Sequence, residues 1–211
     1  MKFPILNIDG SKNQSIDISD KLVKQKINYK LIKFVIDWQL NNSKPRTAKT
    51  KQRNQIQGST KKIVAQKGSG GARHASKKAP IFVGGGVAHG PKGASYKIKK
   101  INKKVKRLAL VHTLSKKSSD KNLHFLADIK KEIKKTKDFN TFLTKNNLLN
   151  TLIISDKDTL KNINKSARNI KDVKIISHEG ANIYDLMKFK NVILTLSSIK
   201  KIESRILNEK N

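Results

Sequence analysis

The sequence has no cysteine, so disulfides, thiolate metal sites and cysteine nucleophiles are excluded, and a reducing compartment is expected. Acid is scarce as well: fifteen Asp and Glu stand against forty-seven Lys and Arg, for a formal net charge of +32. Paired carboxylates for acid and base catalysis therefore have little to build on. Aromatic residues make up 5% of the chain, too few for base stacking to be the main mode of binding, as it is in single-strand binders. No run approaches the roughly 20 apolar residues of a membrane-spanning helix. Between Met1 and Gly10, a single Lys and a short apolar patch broken by Pro4 and Asn7 form neither a signal nor a transit peptide, so the chain is expected to stay where it is made.

A charge of +32 goes far beyond what keeps a small domain soluble and calls for a polyanion. Nucleic acid fits better than a membrane surface, because the cations crowd a glycine-rich segment rather than one face of an amphipathic helix. From Trp38 to Ser119, 82 residues pass without one Asp or Glu, while 21 Lys and Arg occur. Within that span, Lys44 to Lys100 holds nine of the eleven glycines and three of the four prolines, with neither helical nor strand periodicity sustained. A structureless connection of 57 residues is unusual inside a domain. Its charge supplies a reason: such a loop is expected to order on RNA.

The flanking segments read as α/β. Leu22, Val23, Ile27, Leu31, Phe34, Val35 and Trp38 recur at three- and four-residue steps and predict one helix from about Asp20 to Leu40. Asn102 opens a second, through Lys117, with Val105, Leu108, Ala109 and His112 on one side and Lys103, Lys104, Lys106 and Arg107 around its start. Lysines there oppose the helix dipole, a placement that nearby phosphates would relieve. Apolar runs at Leu123 to Ala127, Thr151 to Ser155, Val173 to Ile176 and Asn191 to Thr195 alternate with helical patterns around 135–147, 157–169 and 182–189. The expected fold is a three-layer α/β domain with a mainly parallel four-stranded sheet, its strands covered on both faces. Residues 1–43 and 101–211 would form that domain, and 44–100 a long, basic, glycine-rich extended loop inserted in it. Ser155, Asp156 and Asp158, then Ser197 and Ser198, follow strands where they suit helix capping.

Nothing in the pattern requires a cofactor. Gly68-Ser69-Gly70-Gly71-Ala72-Arg73 misses the last glycine of the dinucleotide fingerprint and does not lie between a strand and a helix. Gly84, Gly85 and Gly86 beside His89 have no G-x-S-x-G nucleophile elbow to accompany them. The five histidines, His74, His89, His112, His124 and His178, show no paired metal-ligand spacing. Only Phe82 and Tyr96 supply aromatic rings in the basic span after Trp38, so recognition should rest on phosphate, 2′-hydroxyl and shape in a folded RNA.

The ordered motifs Gln66-Lys67-Gly68-Ser69-Gly70, Ala72-Arg73-His74, Ala79-Pro80, Gly84-Gly85-Gly86-Val87, His89-Gly90-Pro91 and Asn102-Lys103-Lys104-Val105 carry a resemblance. The segment from Gly58 through Ser119 resembles the bacterial form of large-subunit ribosomal protein four, the universal L-four family. That resemblance implies a structural, non-enzymatic component of the large ribosomal subunit in the cytoplasm, or in an organelle that encodes its own ribosome. It also implies a role in translation and early ribosome assembly. Its partners would be large-subunit rRNA, neighbouring ribosomal proteins and the nascent peptide, with no membrane or small-molecule substrate. Carried over by motif, the tip Val64, Ala65, Gln66, Lys67, Gly68, Ser69 and Gly70 would line the peptide exit tunnel. Lys61, Lys62, Arg73, His74, Lys77 and Lys78 would lie against RNA around it, Lys44, Arg46, Lys49, Lys51 and Arg53 along the incoming limb, and Lys92, Lys103, Lys104, Lys106 and Arg107 beyond it. The chain departs from the family at Val64, Ala65 and Gly71, where an aromatic and two arginines are common. Some family members also repress their own operon. The remaining readings are a nucleoid protein using Lys103, Lys104, Lys106 and Arg107 on a duplex, and a nucleotide-dependent enzyme resting on fold analogy alone.

Overall fold

The computed structural model describes residues 1–7, 14–93, 99–129, 132–133 and 135–207. Tyr96, with residues 94–98 of the expected loop, lies outside them. The backbone separates into two compact units, one made of Met1–Asn41 and Lys100–Asn211, the other of Asn42–Lys99.

The first unit is built on one sheet. Strands β1 (Lys2–Leu6), β2 (Gln14–Asp17), β3 (Leu123–Leu126), β4 (Thr151–Ser155), β5 (Val173–Ser177) and β6 (Asn191–Thr195) take the order β2-β1-β3-β6-β4-β5. Every neighbouring pair is parallel except β1 and β2. Helices α1 (Asp20–Val23), α2 (Tyr29–Ser43), α3 (Lys103–Ser119), α4 (Thr136–Lys145), α5 (Lys157–Ala167), α6 (Ile183–Lys188) and α7 (Leu196–Leu207) flank it.

The apolar runs show why both faces must be covered. Leu152 and Ile154 of β4 and Val192 and Leu194 of β6 join a core with residues of α1, α2, α3, α6 and α7. Ile153 and Ile193 between them join a second core with α4 and α5. Successive strand residues point to opposite faces, so a run without polar alternation buries both ways.

The sheet has six strands, not the expected four. β1 interrupts its apolar pattern with Pro4 and buries only Ile5 and Leu6, and β2 reads as Gln-Ser-Ile-Asp. Both are held by backbone pairing, which leaves little mark on hydropathy. On the β3 side the ladder engages only Ile5 and Leu6, past the proline.

The single helix expected from Asp20 to Leu40 is two. Asn28 Oδ1 accepts from the Leu31 N–H at 3.1 Å and starts α2 afresh, which resets the phase of the stripe. Ile32 and Val35 are buried in consequence, whereas Phe34 is 56% exposed. Helix α3 also differs from a one-sided helix: Ala109 through Ser115 are all buried, and Leu108 faces out. Its second half runs through the core while its basic first turns remain at the surface.

Candidate nucleic-acid interface

The Asn42–Lys99 unit holds fourteen Lys and Arg and no acid. Beyond the end of α2, the regular structure recorded among its described residues is a 3-10 turn, Arg53–Gln55, and an isolated antiparallel bridge between Lys49 and Lys92. Turns and cross-limb hydrogen bonds replace helices and strands. The Thr50 N–H donates to Pro91 O at 3.0 Å, Val87 N–H to Lys51 O at 2.9 Å and Gly86 N–H to Lys78 O at 3.0 Å. Where these limbs cross, Gly86 is required for space: a Cβ there would lie 2.2 Å from Arg53 N. The His74 and Phe82 rings meet edge to face, centroids 5.0 Å apart, within the outgoing limb.

Charge is turned outward. Lys44, Lys49, Lys51, Arg53, Lys61, Lys62, Lys67, Arg73, Lys77 and Lys92 are exposed, while Arg46, His74 and Lys78 are half-buried. The tip residues Ala65, Gln66, Lys67, Gly68, Ser69 and Gly70 are exposed and Val64 is half-buried. Gly68 takes φ +85°, which a side chain would resist. Arg73 Nε donates to Gln66 O at 3.3 Å, and Lys62 Nζ donates to Gln66 Oε1, so the tip is closed on itself by cations from both limbs.

In the other unit, Lys103 and Lys104 are exposed at the start of α3, and Lys106 and Arg107 are half-buried. Asn102 occupies the N-cap position without a side-chain cap bond. Lys106 Nζ lies 4.0 Å from the Trp38 ring centroid, a cation–π contact. Beside them opens a cavity of about 320 Å³ that Arg205 of α7 also lines. Neither Trp38 nor Arg205 stands out as a binding residue in the linear sequence; only the fold brings α2 and α7 to the start of α3.

The carboxyl edge of the sheet is where open α/β folds bind ligands. Here the chain fills it with its own carboxylates. Asp156 caps α5, its Oδ1 accepting from Lys157 N at 2.8 Å, and Lys201 Nζ lies 2.5 Å from Oδ2. The Lys201 ammonium, followed by the Lys157 amide, holds the Asp156 carboxyl below the usual carboxylate range. Ser197 and Ser198 do not cap α7. Asp128, from the loop after β3, accepts from Ser197 N at 3.1 Å and from Ser197 Oγ at 2.5 Å, and Ser198 Oγ turns back to Ile154 O and Thr195 O. Two helix N-termini suited to phosphate are thus occupied by negative charge.

Among the described residues no cluster of three or more His, Asp or Glu could hold a metal, and no helix is long and apolar enough to cross a membrane. His112 is buried on α3.

The model of the ribosomal protein L4/L1 family matches residues 16–205. The chain belongs to this family. The large ribosomal subunit protein uL4 of Pelagibacter ubique is 50% identical over 206 residues, covering 97% of this chain and 99% of that one. The uL4 protein of Desulforapulum autotrophicum is 40% identical over 201 residues, covering 95% and 96%, and that of Hyphomonas neptunium is 33% identical over 206 residues, covering 97% and 96%. L4/L1 family members of this kind are structural ribosomal proteins and not enzymes, in keeping with the filled edge of the sheet.

Proposed function

We propose that the chain is a structural constituent of the large ribosomal subunit in the cytoplasm, held there by large-subunit rRNA. The observation that carries this reading is the acid-free span from Trp38 to Ser119 with its 21 cations. Much of that span forms a unit whose limbs are joined by backbone hydrogen bonds and most of whose described Lys and Arg face outward. Such a unit supplies counter-charge to converging RNA strands, and its glycines let the backbone approach them closely. The residues along both limbs, Lys44 to Arg53 and Lys61 to Lys92, contact phosphate and sugar, and Lys103, Lys104, Lys106 and Arg107 add a second patch. The α/β unit packs beside neighbouring ribosomal proteins. Early in assembly, this neutralisation lets rRNA helices draw together.

The tip from Val64 to Gly70 lines part of the nascent-peptide exit tunnel in this reading. Small and apolar residues at Val64, Ala65 and Gly71 leave Lys67 and Arg73 as its cations. The same RNA-binding surface would serve for repression of its own operon, through a structured leader in the mRNA.

Phosphate neutralisation is read by salt. With about 6 to 10 phosphate contacts, affinity for large-subunit rRNA falls by roughly three to five decades between 50 and 200 mM salt. Affinity that hardly changes over that range would rule the mechanism out.

A further inference from the structure

We infer that the cavity between α2, α3, α6 and α7 receives one unpaired nucleotide of a structured RNA. This rests on the reading that the chain binds rRNA, and assigns a subsite separate from the glycine-rich unit. Four cations line the cavity, Lys103, Lys106, Arg107 and Arg205, and no Asp or Glu does. Its floor is apolar, with Val35, Trp38, Leu110, Ile183 and Ile206.

Size and charge together select the occupant. At about 320 Å³ the cavity is near the lower end of ligand pockets, with room for a single nucleotide-sized group and not for a peptide helix. A flipped-out nucleotide presents one flat apolar group flanked by two phosphates, matching one apolar floor with cations on two helices. Where a folded RNA has loops or bulges, proteins take up such unstacked bases against aromatic or guanidinium planes. The Trp38 ring supplies the plane. Lys106 Nζ, which sits over that ring at 4.0 Å, moves to a phosphate as the base takes its place.

Two further features fit a nucleotide. The first turns of α3 carry Lys103, Lys104, Lys106 and Arg107 at the positive end of the helix dipole, with no acid among the residues of α3. Gln39 Oε1 already accepts from Tyr184 N at 2.9 Å, which leaves the Gln39 amide nitrogen as the group to donate to a base edge. Recognition there is of an unpaired base in a bent backbone, more than of one base identity.

Trp38 is the only tryptophan and reports on its own surroundings. The full chain is titrated with an RNA hairpin carrying one bulged adenosine, with the same hairpin fully paired, and with an oligoglutamate peptide. The bulged hairpin is expected to quench Trp38 emission and to bind roughly five- to a hundredfold more tightly than the paired one, the range given by stacking one base on an aromatic ring. Lys103→Gln with Arg107→Gln should remove that preference while binding to both hairpins persists. The charge-matched pair Lys137→Gln with Lys171→Gln, both exposed elsewhere, should retain it. Equal affinity for the two hairpins with unchanged emission overturns the inference and leaves general RNA binding standing. Failure to bind either hairpin overturns the RNA reading itself. Quenching by the peptide and not by the bulge overturns the inference in favour of an acidic protein partner.

Discussion

Lys117 is a cation that no phosphate reaches. It is buried in α3, and its ammonium donates to Phe189 O at 2.7 Å and Lys190 O at 3.1 Å, tying α3 to the turn before β6. Burial pushes its pKa below the ordinary lysine value, so the charge is held at a cost and its bonds must be kept. Lys117→Met keeps the volume and strands two carbonyls. It is expected to destabilise the chain by about 2–4 kcal/mol in urea unfolding while RNA affinity of the folded fraction stays the same. Asp156 gives the complementary acid-side case. Because its folded pKa is depressed, its stabilisation is present above the unfolded value of about 3.9 and is lost as pH falls through the lower folded value. Asp156→Ala should cost about 1–2 kcal/mol at pH 7, and the gap to the unaltered chain should close below about pH 4 in thermal unfolding.

At the scale of elements, the glycine-rich unit depends on close crossing more than on regular structure. Gly86→Ala places a methyl group against the Arg53 backbone. The expected result is a roughly tenfold or greater loss of rRNA affinity, with the urea midpoint of the α/β unit unchanged. Loss of both together would mean that the units fold as one. Strands β3 to β6 were legible in the sequence because each is a short unbroken apolar run, and α5 because Asp156 caps it. Strands β1 and β2 were not, since backbone pairing holds Pro4 and a polar tetrapeptide that hydropathy does not mark. The single helix expected before the basic span is interrupted for a local reason: Asn28 restarts it, so Phe34 and Ile32 exchange roles. Among the proposed RNA contacts, the Lys and Arg from Lys44 to Arg107 are visible as an acid-free run. The cavity residues Trp38 and Arg205 are not, and neither is Asp128 at the start of α7, because each acts across more than 60 residues of sequence.

The whole molecule divides its labour between burial and charge. One unit has two apolar cores around a six-stranded sheet; the other has no core cluster among its described residues and spends its sequence on cations and glycines. In free protein, limited proteolysis is expected to cut first between Lys44 and Lys100, and rRNA should protect those sites. The central claim is that the chain is a built-in part of the large subunit, and sedimentation tests it most directly. Cell lysate is fractionated on a sucrose gradient after a high-salt wash that strips loosely bound basic proteins. The account predicts that the chain stays with the large-subunit peak in fixed proportion to its rRNA. Release into the soluble or DNA-bound fraction would contradict it and return the molecule to the class of nucleoid proteins.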